Sequence, residues 1–125
     1  MAGLTLIAGH FSQGAASWNI ETKYSHDLPP VSLDGWEVTV VELTFPPGLT
    51  SPKHTHPGFI LGSVLEGEFR FHVEGEPETV LKAGDIFYEP PGRIHLPSGS
   101  ASSLKPAKIL AFNFPEKGKE LLKPI

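Results

Sequence analysis

Two histidines one residue apart, His54-Thr55-His56, are the part of this sequence best suited to chemistry. On a β-strand, residues i and i+2 project to the same face. Both imidazoles then point one way and offer two neutral nitrogen donors to a divalent transition metal. A pair by itself is weak evidence and is more often two solvated or hydrogen-bonded histidines, so a metal site needs at least one further ligand. Cysteine is absent, which removes thiolate ligands and disulfides together. Of the other four histidines, His10 and His26 lie in a poorly patterned N-terminal arm. His72 alternates with Phe71 and is expected to face solvent or a second subunit, and the spacing by itself does not place His95 beside the pair.

The elements that must carry these side chains are short strands. The 13 glycines and 13 prolines in 125 residues imply many tight turns, and the length is that of one domain. Residues 36–45 alternate apolar and polar with many β-branched side chains, as a half-buried strand does. Pro46-Pro47-Gly48 stops them, because proline cannot donate to a ladder. Further strands are expected at residues 54–56, 59–65, 69–73, 79–81, 86–88, 94–96 and 107–114, with turns at Glu66-Gly67, Glu74–Pro77, Ala83–Asp85 and Pro90–Gly92. The tail holds one candidate helical turn, over residues 120–123. Ile60, Val64, Phe69 and Phe71 are expected to line an apolar interior fit for a small, partly apolar ligand. Tyr88 and Phe112 are candidates for the same lining or for core filling.

Glycines and prolines recur at fixed offsets around the histidines: Gly48, His54, His56, Ile60 and Gly67, then Gly84, Pro90, Gly92, His95 and Gly99. This set resembles the two motifs of the cupin family, G-x(5)-H-x-H-x(3,4)-E-x(6)-G and G-x(5)-P-x-G-x(2)-H-x(3)-N. The resemblance implies an all-β fold, the cupin double-stranded β-helix or jelly-roll barrel, over residues 31–125. Residues 1–30 would form an N-terminal arm able to exchange strands. It also implies that His95 joins His54 and His56 around one divalent metal; Fe, Ni, Zn, Mn and Cu all suit three imidazoles.

Two positions depart from the motifs. The family glutamate falls on Ile60, flanked by Phe59 and Leu61, so the expected first shell is three histidines with no carboxylate. The closing asparagine is Gly99. Glu89 stands six residues before His95, an offset shared with an outer-shell glutamate of diketone-cleaving cupins, and is a candidate for orienting a ligand or water. The plainer reading of Glu89 is a solvated turn carboxylate. Arg93, two residues before His95, is a candidate clamp for a substrate carboxylate if it faces inward, and a rim arginine otherwise.

Ten basic against 14 acidic side chains give a net charge of −4, with no basic stripe, so nucleic acid is not an expected partner. No run approaches the roughly 20 apolar residues of a spanning helix. The start of the chain holds a short apolar run with no lysine or arginine before Lys23, so no signal peptide is read and a cytoplasmic location is expected. The expected function is a metal-binding cupin acting on a small organic molecule, in the manner of the three-histidine iron dioxygenases of the family. An uncompensated metal charge would favour an anionic ligand. The alternatives are a sensor or storage cupin that binds without turnover, or a barrel whose histidines are metal-free remnants. A homodimer is expected from the resemblance.

Overall fold

The computed structural model describes residues 8–13 and 16–125, with side-chain detail from Trp18 onward. Residues 1–7 of the apolar start, and Gly14-Ala15 of the small-residue turn, lie outside them. Every regular element described is a strand. An N-terminal hairpin pairs β1 (Ala8–Gln13) with β2 (Ala16–Glu21) of the same chain. The body follows as β3 (Thr39–Phe45), β4 (His54–Thr55), β5 (Phe59–Glu66), β6 (Glu68–Phe71), β7 (Thr79–Lys82) and β8 (Ile86–Glu89). It is completed by β9 (Ile94–His95), β10 (Gly99–Ser100), β11 (Ala107–Phe114) and β12 (Lys123–Pro124).

These strands form antiparallel sheets in the orders β3-β11-β5-β8, β10-β6-β7 and β12-β4-β9. No described sheet closes on itself; single bridges Thr50–Gly99 and Val73–His95 link the sheets instead. Alternation of inward and outward side chains packs them. Along β11, Ala107, Ile109, Ala111 and Asn113 turn inward while Lys108, Leu110 and Phe112 turn out. Ile60 and Val64 of β5, Phe69 of β6, Phe87 of β8, and Ile109 and Ala111 form the buried core between two sheets. The Phe69 ring lies 5.8 Å from that of Phe45 and 5.3 Å from that of Phe87. Gly62 makes room for this packing, because the Phe87 ring occupies the space a Cβ would need.

The motif glycines at the turns, Gly48, Gly67, Gly84 and Gly92, have φ between 70° and 93°, a region other residues avoid. Gly99 is a glycine for a different reason. It bridges to Thr50, and a Cβ there would run into the Leu49 carbonyl oxygen, so the family's asparagine does not fit this chain.

Two expectations need correction. The first long strand begins at Thr39 rather than Trp36, which makes only a single bridge to Glu116. The helical turn expected near the C-terminus does not form. Gly118, at φ 85°, turns the chain so that Lys123 pairs with Thr55 and Pro124 with His54. Position 124 is on the outer strand of its sheet, where a missing N–H breaks no ladder. Among the described residues no helix is long and apolar enough to cross a membrane.

Candidate metal centre

The pairing of β4 with β9 sets His54 directly opposite His95. Residues in register on adjacent antiparallel strands share a face and sit about 5 Å apart. His56, two residues beyond His54, joins them, and one ligand atom from each of the three lies within 4.8 Å of the others. The pairing that brings His95 to the other two is a tertiary fact that the spacing of the histidines does not contain.

Each imidazole is held by the nitrogen it turns away from the centre. His54 Nδ1 donates to the Pro52 carbonyl at 2.8 Å, and His56 Nδ1 donates to the Leu121 carbonyl at 2.8 Å. A carbonyl only accepts, so both Nδ1 atoms carry the proton and both Nε2 atoms present bare lone pairs. Ser98 donates its hydroxyl to the Leu96 carbonyl at 2.9 Å and accepts from His95 Nε2 at 3.1 Å, which leaves His95 Nδ1 facing the centre. Burial depresses the His54 pKa, and His56 and His95 push the same way against the Pro52 carbonyl and Glu89. His54 therefore meets neutral water uncharged, the form that ligates metals.

Lone pairs now face one another. His54 Nε2 lies 3.0 Å from His56 Nε2 and 3.1 Å from His95 Nδ1. Acceptors at that separation repel unless a proton or a metal ion sits between them. Two nitrogens bound about 2.1 Å from one ion at a right angle would be about 3.0 Å apart, close to the spacing observed. The donor set fits a divalent transition ion, and the buried three-histidine cluster is suited to hold one.

Of the two readings of Glu89, the structure agrees with the one that sets it beside the ligand histidines. Glu89 is only 5% exposed, with Oε1 2.8 Å from His95 Nδ1 and Oε2 3.9 Å from His56 Nε2. It is not the solvated turn residue of the plainer reading. Arg93 is elsewhere: its side chain is half exposed and lies 3.9 Å from Glu76, and it does not border the cavity. His26 stacks on Tyr88 with ring centroids 4.2 Å apart and is not part of the three-histidine cluster.

The cluster opens on a cavity of about 350 Å³, walled by Val41, Phe45, Ile60, Phe69, Phe87, Ile109 and Ala111. Ile60 and Phe69 line it as expected; Val64 and Phe71 belong to the core behind it, and Tyr88 and Phe112 are outside. Asn113, Ser98, Lys53, Leu121 and Leu122 are also part of the lining. Sequence reasoning missed the C-terminal residues altogether, since nothing local marks a leucine whose carbonyl anchors a histidine 65 positions away. Ending the chain at Lys119 removes that carbonyl and the β12 pairing. Metal affinity should fall about 10–100-fold, the usual loss when an outer hydrogen-bond partner of a ligand is removed. Competition with a chromophoric chelator measures it, and unchanged affinity would mean that the tail does not position His56.

Residues 41–113, more than half of the chain, match the Cupin domain family. The chain is a cupin. Its fold resembles that of a cupin-like protein from Thermotoga maritima, with 24% identity over 70% of this chain and 64% of the other, at a TM-score of 0.62. A conserved protein with a double-stranded β-helix domain from Klebsiella pneumoniae aligns at 28% identity over 69% of this cupin and 72% of that chain, TM-score 0.58. The DMSP lyase DddQ from Ruegeria pomeroyi aligns over 95% of this cupin at 22% identity and TM-score 0.58. This cupin spans 64% of the Thermotoga chain and 51% of the lyase. No curated protein matches it.

Proposed function

We propose that this cupin is a metal-dependent enzyme that oxidises a small, mainly apolar organic acid or enol with O₂, as a three-histidine dioxygenase. The observation that carries the reading is the convergence of His54, His56 and His95 in the wall of an apolar cavity of about 350 Å³. That volume is at the small end of ligand pockets. Three protein ligands leave coordination positions free, and iron held there would supply Lewis-acid and redox chemistry.

The remaining roles belong to the chain itself. Val41, Phe69, Phe87 and Ile109 exclude water and seat the apolar part of the substrate. Lys53 borders the cavity and has no ion-pair partner among the described residues, so its ammonium can meet an anionic group. This supports the anionic ligand read from the sequence, through a cation next to the ligand histidines as well as through the metal. The buried carboxylate of Glu89 can hold a proton taken from an acidic substrate.

The test is metal analysis of purified protein, then O₂ uptake by the Fe(II) form with diketones, thiols and phenolic acids. Stoichiometric O₂ and substrate loss supports the proposal. Binding of these acids without consumption of either would show a ligand-binding cupin instead.

We further propose a homodimer formed through the outer face of the four-stranded sheet. Register sets Val40 beside Phe112, Phe112 beside Leu61, and Leu61 beside Tyr88, an outward row crossing all four strands. Val40, Phe112 and Leu61 are exposed, and such rows mark association surfaces. Light scattering should give twice the chain mass at micromolar concentration, and Phe112→Asp should halve it. A monomeric wild type would refute the dimer.

A further inference from the structure

We propose that Asn113 selects the ligand of the cavity: its amide oxygen accepts a hydrogen bond from a hydroxyl that the small organic acid carries on its apolar body. The inference rests on reading the cavity as the site of such an acid, and adds what that acid must present. Asn113 lies on β11 in line with Ile109 and Ala111, turns inward with them, and borders the cavity beside them. It is 5% exposed, a depth at which a side-chain amide is costly unless it is fully hydrogen-bonded. Register sets Asn113 opposite Ile60, and Ile60 opposite Glu89. Side chains so paired share a face, so one inward row crosses three strands as amide, apolar side chain and carboxylate.

The amide is short of partners. Among the described residues its hydrogen bond is from Nδ2 to the Ala111 carbonyl two residues back, long at 3.3 Å. That carbonyl can only accept, so the nitrogen is the atom turned to Ala111, and both lone pairs of Oδ1 are left free. No fully buried side-chain polar atom among the described residues lacks a partner. Oδ1 is therefore reached from the cavity that Asn113 borders, not sealed in the core. The fold does not need the amide, since an apolar side chain of the same shape would leave nothing unpaired. Two other polar groups of the wall are already committed, Ser98 to His95 and Leu96, and Glu89 to His95. Asn113 remains as a neutral acceptor in a wall of Val41, Phe45, Phe69 and Phe87. A ligand without a hydroxyl there would leave Oδ1 unpaired in apolar surroundings, which is how a polar site rejects an analogue that lacks the matching group.

Calorimetric titration of the full chain with benzoate and with the three hydroxybenzoates, kept free of O₂ so that binding is read without turnover, tests this. At least one hydroxybenzoate should bind the wild type about tenfold or more tightly than benzoate does. In Asn113→Leu, which keeps the branched shape and loses the acceptor, that advantage should fall to within about twofold, with benzoate bound at least as tightly as before. Without ligand, Asn113→Leu should melt no lower than the wild type, a result that an amide needed for the fold would not give. Equal wild-type affinity for benzoate and all three hydroxybenzoates overturns the proposal, and so does a hydroxyl advantage that survives in Asn113→Leu. A variant that melts lower or fails to fold assigns the amide to the structure and overturns it as well. Failure of all four acids to bind the wild type would refute the small-acid reading of the cavity itself, and is distinguishable from binding that ignores the hydroxyl.

Discussion

His54→Ala is expected to lower divalent-metal affinity at least about a hundredfold, since losing even an outer partner of a ligand costs roughly 10–100-fold. His54 is the hinge of the cluster. Its Nε2 lies within 3.1 Å of the facing nitrogens of both other histidines. Without it, His56 and His95 share no such short contact. His56→Ala and His95→Ala should each strip the metal as well, though each leaves His54 with one neighbour. Metal content after gel filtration reads the result, with circular dichroism confirming the fold. A second outcome separates this centre from an ordinary buried histidine pair. In the absence of metal, His54→Ala should melt no lower than wild type, because it relieves the opposition of lone pairs. Full metal occupancy in His95→Ala would remove that residue from the ligand set.

The largest effect on stability is expected from Phe69→Ala. Phe69 is 1% exposed and touches aromatic rings from three other strand positions, Phe45, Phe71 and Phe87. Truncating such a ring costs about 3–5 kcal/mol, a large share of the ~5–15 kcal/mol that holds a domain together. For a chain of this length the melting temperature should fall on the order of 15 °C. Urea denaturation and calorimetry measure it. A loss below about 1 kcal/mol would mean that the neighbouring rings collapse into the space. The variant also enlarges the cavity, because Phe69 is part of its wall. Ligands bulkier than those of the wild type should then bind relatively better.

The local patterns were legible because they depend on one strand or one turn at a time. Period-2 alternation marked β3 and β6, since a strand half-buried against a core alternates, and an apolar run marked β5. Gly48, Gly67, Gly84 and Gly92 marked turns whose positive φ excludes side chains. His54 and His56 declared a shared face by their i, i+2 spacing. The C-terminus was misread because five residues around Leu121 carry no period, and their pairing with β4 comes from an open strand edge far away in the chain.

What the sequence determined by itself, then, is an all-β domain with two imidazoles aimed one way, together with the glycines that let the chain turn between strands. What only the tertiary structure decided is which other groups meet those imidazoles. His95 reaches His54 through the β4–β9 register, and Glu89 of β8, opposite Ile60, comes against His95 and His56. Leu121 holds His56 from 65 positions further along the chain. Side-chain direction is a local property of φ, ψ and strand period. Register between strands is set by the whole hydrophobic pattern packing at once, so the partners of a residue cannot be read from the residues beside it.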